Sequence, residues 1–328
     1  EKNMTELTLA PYYHPTTICF VDDNEAFLAS LELELPGEWA CRTFSDPESA
    51  LAYLNEPNPL PPLMDRCFSL QRESNAAVIH LDLGLIEQEI SHVDRFRRNS
   101  VLVVDYAMPS INGLEFCEAL KDTHIRRAML TGVADEKLAV QAFNAGLIHR
   151  FIPKQTDDPI LAVHQFVEEL VQEYFNQYTE RLKTTLAIDP PAFLTDPDVA
   201  AWVRKLMKEN RLVEYYLVDD PPGLLMLKGS GQIWRLTILS QADREAQARL
   251  AARFGADTAL TDALETGDRA VFLTGMQPDD YFGDEDFPWE ELTQEAWQLS
   301  ADWTVAIWKE APGDIDFDPA TASYDAYL

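Results

Sequence analysis

Residues 101–116 read VLVVDYAMPSINGLEF, and the fold turns on this stretch. Four successive apolar residues, Val101 to Val104, are too few for a free-standing helix and too continuous for a half-solvated strand, so they read as a strand buried on both faces. Asp105 closes the run. A carboxylate there lies at the carboxyl edge of a parallel sheet, where open α/β sheets gather their ligands. Pro109 and Gly113 bracket a tight loop, and Leu114, Phe116, Cys117 and Leu120 mark the apolar positions of the helix that follows.

The same alternation extends in both directions. Upstream, Thr16 to Val21 is an apolar, β-branched run ending in Asp22-Asp23, followed by helical spacing at Ala26, Phe27, Leu31 and Leu33 and a stop at Pro36-Gly37. Trp39 to Phe44 reads as a second strand, and Asp46-Pro47 supplies an N-cap with proline at the first helical position ahead of Ala50, Leu51 and Leu54. Downstream, Ala128 to Leu130 ends at Thr131, a helix carries Leu138, Ala139, Ala142 and Phe143, and Ile148 to Ile152 ends before Lys154. Five β/α alternations imply a doubly wound parallel sheet with helices on both faces.

In such a sheet the strand ends converge, which brings Asp22, Asp23, Asp105, Thr131 and Lys154 to one edge. Three carboxylates repel one another and call for a cation; hard oxygen ligands suit Mg²⁺. A lysine adds a fixed positive charge, and a threonine hydroxyl can hydrogen-bond a transferred oxyanion. Such a site is built to move a phosphoryl group onto a carboxylate.

The ordered set of Asp22-Asp23, the DxxMPxxxG pattern from Asp105 through Met108 and Pro109 to Gly113, then Thr131 and Lys154, resembles the receiver domain of bacterial two-component response regulators over Thr16 to about Leu170. Phe151 matches that family's switch aromatic. The resemblance implies a five-stranded, flavodoxin-like receiver in which Asp105 is the phosphoacceptor. It also implies that Asp22, Asp23, Asp105 and the Ala107 carbonyl hold Mg²⁺, and that Thr131 and Lys154 bind phosphoryl oxygens. A sensor histidine kinase or phosphotransfer protein is the implied donor. Two features depart from the family: Gln155 follows Lys154 where proline is usual, with Pro153 before the lysine instead, and residues 56–98 form an insertion. The insertion opens with NEPNPLPPL, Asn55 to Leu63, which cannot be a regular helix. Beyond it a short strand near Val78 to Leu81 and a helix from about Leu85 to Arg97 are expected, serving as a packed decoration, with a contact surface or flap as the other reading. His80 and His92 lack the spacing of a metal site.

After Asp157-Asp158-Pro159, neither glycine nor proline interrupts Ile160 to Asp189. Apolar residues recur from Val163 through Phe166, Leu170, Tyr174 and Tyr178 to Leu182. A helix of about 28 residues spans roughly 42 Å, more than the receiver alone can cover, so it reads as a connector that can also pair with a second chain. Asp189-Pro190-Pro191 marks a boundary. Beyond it, a helix with Val199, Trp202, Val203 and Leu206 precedes strands at Val213 to Val218, Gly223 to Leu227 and Gln232 to Leu239, the last two joined through Gly229-Ser230-Gly231. A helix from Ala242 to Phe254 and strands at Arg269 to Thr274 and Trp303 to Trp308 complete an α+β domain with a mainly antiparallel sheet. The expected organisation is a receiver at 14–158, a connector at 159–188, an output domain at 189–312, and a weakly ordered acidic tail at 313–328.

Composition narrows the function. The 328 residues carry a net charge of −30, with 46% hydrophobic and 10% aromatic residues. Residues 189–328 hold 11 Lys+Arg against 27 Asp+Glu, so this half lacks the basic face a duplex requires. DNA binding is disfavoured, and no apolar run approaches the roughly 20 residues of a membrane span. Cys19, Cys41, Cys67 and Cys117 form no CxxC pair and read as reduced thiols of a cytosolic protein. The acidic Gly283-Asp284-Glu285-Asp286 departs from the GGDEF signature of diguanylate cyclases and reads as a surface loop. With no catalytic constellation in this half, the expected output is contact with another protein. A receiver controlling a nucleotide-binding or degenerate enzymatic domain is the alternative.

Overall fold

The computed structural model describes all residues except 1–8, 58–62, 64–67, 74–75, 82–87, 133–135, 157, 187–190, 219–220, 273–287 and 311–314. In chain order, β1 (Tyr12–Tyr13), β2 (Thr17–Val21), α1 (Glu25–Glu34), β3 (Ala40–Phe44) and α2 (Pro47–Leu54) come first. The insertion contributes β4 (Phe68–Glu73) and β5 (Ala76–Leu81). Then follow β6 (Asn99–Asp105), α3 (Gly113–Glu118), β7 (Arg126–Thr131), α4 (Glu136–Asn144), β8 (Arg150–Pro153) and the 28-residue α5 (Pro159–Leu186). The remainder holds α6 (Pro197–Asn210), β9 (Leu212–Val218), β10 (Gly223–Lys228), β11 (Ile233–Leu239), α7 (Gln241–Arg253), α8 (Thr258–Thr266) and β12 (Arg269–Val271). Last come α9 (Trp289–Leu292), β13 (Thr293–Gln298), β14 (Thr304–Trp308), α10 (Pro319–Ala322) and α11 (Tyr324–Tyr327).

Two compact units result. One runs from Pro15 to Pro62 and from Val93 to Glu180. Its sheet is parallel throughout, in the order β3-β2-β6-β7-β8, the flavodoxin-like order expected. Val101 to Val104 are wholly buried, as a central strand covered on both faces must be. On one face Cys19, Val21, Leu102, Val104 and Met129 pack with Ala50 and Leu54 of α2, Phe116 and Cys117 of α3 and Ala139 and Ala142 of α4. Val163, Val167, Leu170 and Tyr174 of α5 are buried as well, which accounts for the long apolar stripe up to that point.

The other unit takes its residues from three places: the segment ending at His14, Leu63–His92, and Arg181–Tyr327. Its seven-stranded sheet, β1-β9-β10-β11-β14-β13-β12, is antiparallel at every pairing. Leu224, Met226, Trp234, Leu236 and Ile238 on one face meet Val199 and Val203 of α6, joined by Leu9 from the chain start. The edge strand β1 was not anticipated. It pairs Tyr12 with Tyr216 and Tyr13 with Tyr215, and two residues are too short for any periodicity to reveal.

Three expectations differ from the structure. The insertion does not belong wholly with the receiver, because Leu63–His92 clusters with the second unit. Within it β5 covers the anticipated strand and pairs with an unanticipated β4, whereas the helix expected from Leu85 to Arg97 is replaced among the described residues by a helical turn at 88–90 and a 3-10 segment, Val93–Arg97. The apolar residues read there as one helical stripe include Ile90 and Phe96, both fully buried in these short segments. The acidic tail is ordered from residue 315 onward. Tyr324 is buried, Asp325 N–H donates to Gly229 O at 2.9 Å, and a Cβ on Gly231 would lie 2.6 Å from Pro319. Charge pattern hid this because Ala322 and Tyr324 supply the apolar anchors. The Gly283 to Asp286 loop lies outside the described residues.

Candidate phosphoacceptor site

The site assembles from the ends of four strands, β2, β6, β7 and β8, at the carboxyl edge of the parallel sheet. β2 ends at Val21 and delivers Asp22, 1% exposed. Asn24 caps α1 by accepting from Ala26 and Phe27 N–H, while its own N–H donates to Asp22 Oδ1 at 2.9 Å. This cap fixes the Asp22 carboxylate and leaves Asp23 exposed beside it. Sequence reading passed over Asn24, although an asparagine directly after an acidic pair and before an apolar helix is an N-cap signal.

β6 delivers Asp105, 5% exposed. The loop beyond it folds back so that Gly113 N–H donates to Tyr106 O at 2.9 Å. A Cβ on Gly113 would stand 2.6 Å from the Asp105 main-chain oxygen, so any side chain here forces the loop to shift. Asn112 and Glu115 close a reciprocal capping box at the start of α3, a signature readable as N-x-x-E. Ala107 sits exposed on the same loop and Met108 is buried under it.

β7 and β8 bring the polar residues of opposite character. Lys154 N–H donates to Thr131 O at 2.8 Å, extending the ladder one residue past β8. The Lys154 ammonium lies 2.8 Å from Asp22 Oδ2 and 3.0 Å from Asp105 Oδ1, and its nitrogen is 5.4 Å from the centre of the Phe27 ring. Pro153 before the lysine therefore does not keep it from Asp105. The Thr131 hydroxyl is buried with no hydrogen-bond partner among the described residues. Phe151 is half-buried on β8 and faces Met129 in register.

Ligand oxygens of Asp22, Asp23 and Asp105 all lie within 4.8 Å of one another. Set against one ammonium, three carboxylates leave two negative charges uncompensated, the deficit a divalent cation meets. Burial pushes the Asp105 carboxyl above the ordinary carboxylate range, the hydrogen bond and charge of Lys154 pull it back, and Asp22 adds to the rise. For Lys154, burial disfavours the charge, but the hydrogen bonds and charges of Asp22 and Asp105 prevail and raise its pKa.

A parallel five-stranded sheet with this acidic edge defines a receiver, and comparison agrees: the family model for the response regulator receiver domain matches residues 83–164. That match covers Asp105, Thr131 and Lys154 but starts within the insertion, so Asp22 and Asp23 join them only through the fold. The transcriptional regulatory protein FixJ of Rhizobium meliloti (strain 1021) is 37% identical over 78 residues, 23% of this chain and 38% of FixJ. The chain thus spans well under half the length of that relative. The structure of the response regulator LqsR of Legionella pneumophila is similar over 98% of this chain and 96% of its own, at 30% identity and a TM-score of 0.77. The chain belongs to the response regulators. Its similarity to LqsR takes in both units.

Proposed function

We propose that Asp105 accepts a phosphoryl group in a Mg²⁺-dependent reaction and that the resulting change switches the second unit, which acts by contacting another protein. The observation that carries this reading is the meeting of Asp22, Asp23, Asp105 and Lys154 at one sheet edge, with salt bridges of 2.8 and 3.0 Å from a single ammonium. The donor is a sensor histidine kinase or a phosphotransfer protein. An Asp105 carboxylate oxygen attacks phosphorus, an O–P bond forms, and the P–N bond to the donor histidine breaks with its electron pair left on the imidazole. Asp22, Asp23, Asp105 and the Ala107 carbonyl are the residues that would hold Mg²⁺, which when bound offsets charge on the phosphoryl oxygens. Lys154, already at Asp105, takes one phosphoryl oxygen, and the unpartnered Thr131 hydroxyl takes another. Water later hydrolyses the acyl phosphate and restores the carboxylate.

The assignment of the output rests on charge. Residues 189–328 carry a net charge of −16, which opposes nucleic-acid binding and leaves a protein partner as the reading. The cysteines point to a reducing compartment, the cytosol. Cys19, Cys41 and Cys117 are free, and burial pushes all three thiols up to about 12. Among the described residues no helix is long and apolar enough to cross a membrane.

Incubation of the chain with acetyl phosphate tests the chemistry. Intact mass should rise by one phosphoryl group with Mg²⁺ present and stay unchanged with chelator. An adduct indifferent to chelation would overturn the metal assignment, and no adduct under any condition would overturn the phosphoacceptor.

A further inference from the structure

Helix α5 belongs to the receiver unit as far as Glu180 and passes to the other unit at Arg181. Within the receiver it is gripped at the amino edge of the sheet, the end opposite Asp105. Arg150, the first residue of β8, donates through Nη2 to the Glu173 carboxylate and stands 3.7 Å from Glu169. Arg126, the first residue of β7, donates through Nη2 to the Glu173 main-chain carbonyl at 3.3 Å. One turn further, Gln177 donates to Tyr174 O at 2.7 Å and to His124 O at 3.4 Å, and its Oε1 lies 3.1 Å from His124 Nδ1.

The same corner is arranged to keep these arginines on the helix. Arg126 Nη1 lies 2.9 Å from His149 Nε2, and Arg127 N–H donates to His149 Nδ1 at 3.0 Å. Burial and the guanidinium groups of Arg126, Arg127 and Arg150 push the His149 pKa down to about 4, so the imidazole adds no competing positive charge near neutrality. Glu173 is therefore the hub, taking one arginine through its side chain and another through its backbone.

β8 runs directly between the two chemistries. Arg150 opens it, Phe151 is its second residue, and Lys154 follows its last. At about 3.3 Å per residue, a strand holds the two ends roughly 13 Å apart with little give. We propose that the Arg150–Glu173–Arg126 clasp couples β8 to the connector helix, so that a shift of Lys154 and Phe151 on phosphorylation is delivered to α5 at Glu173 and onward past Glu180. This rests on Asp105 being the phosphoacceptor. Arg150 and Glu173 are positioning residues: with side chains 31% and 28% exposed, their ion pair contributes little to overall stability, and its effect lies in where it holds the helix.

Hydrogen exchange of the full chain, with and without beryllofluoride and Mg²⁺, tests the coupling, with acetyl-phosphate adduct mass measured in parallel. In the parent, exchange of amides at 169–180 should change by about tenfold on addition of the phosphoryl mimic, the scale of a local opening shifted by one contact. Arg150→Ala should form the same adduct and keep its thermal midpoint but lose that response, Glu173→Gln should weaken it, and Arg150→Lys should restore part of it. A full response in Arg150→Ala, or none in a parent that forms the adduct, overturns the coupling alone. A parent that forms no adduct overturns the phosphoacceptor reading and the coupling with it.

Discussion

Asp105 shows how much one residue depends on its surroundings. Its sequence neighbours identify only an acid at the end of a buried strand; Lys154, 3.0 Å away, and the Asp22 carboxylate are what support the reaction centre proposed for it. Because burial raises its pKa in the fold, ionised Asp105 costs stability at neutral pH. The sign follows from linkage: the cost is absent below the unfolded value of 3.8 and complete above the raised folded value. Asp105→Asn should therefore raise the metal-free melting temperature of the receiver unit by a few degrees, the scale of about 1 kcal/mol in a single domain. Calorimetry should show the advantage shrinking as pH falls through the raised pKa. Mg²⁺ should stabilise the parent more than the variant. Gly113→Ala should cost about 2 kcal/mol, since a Cβ 2.6 Å from a main-chain oxygen forces the loop apart; urea unfolding measures it, and a loss under 0.5 kcal/mol would contradict the close approach. Asp22, Asp23, Asp105, Thr131 and Lys154 were all readable because each terminates an apolar run. Asn24 is legible only in part: its place before an apolar helix signals an N-cap, but not the backbone N–H that it sets 2.9 Å from Asp22.

At the scale of elements, hydrophobic period carried the reading wherever an element was long. The parallel strands, the 28-residue α5 and the β10–β11 hairpin follow their patterns. It failed where a segment is short and fixed by tertiary contact. β1 has two residues and the tail helices four each, all held by partners distant in sequence. In the insertion the strand expected near Val78 to Leu81 lies within β5, but its partner β4 carries no apolar pattern that marks it, and the two pair from Phe68↔Leu81 to Glu73↔Ala76.

The whole molecule departs furthest from a linear reading. The second unit is not the C-terminal segment alone, because the chain start adds β1 and the insertion adds β4 and β5. Pro11 O accepts from Leu217 N–H at 2.8 Å, and Leu9 N–H donates to Leu194 O at 2.7 Å. Removing residues 1–14 should uncover the edge of β9 and strip Leu9 and Tyr12 from their buried positions. The expected result is a loss of about 3 kcal/mol and a tendency to aggregate, read by denaturant melts and light scattering; an unchanged monomeric fold would contradict it. An isolated 189–328 fragment should be unstable for the same reason.

Identification of the residue that carries the phosphoryl group is the most direct test of the account. Borohydride reduces an aspartyl phosphate to homoserine, so the chain treated with acetyl phosphate and Mg²⁺, then reduced and digested, should show homoserine at position 105. Homoserine at any other position, or an adduct that persists in Asp105→Asn, would contradict it.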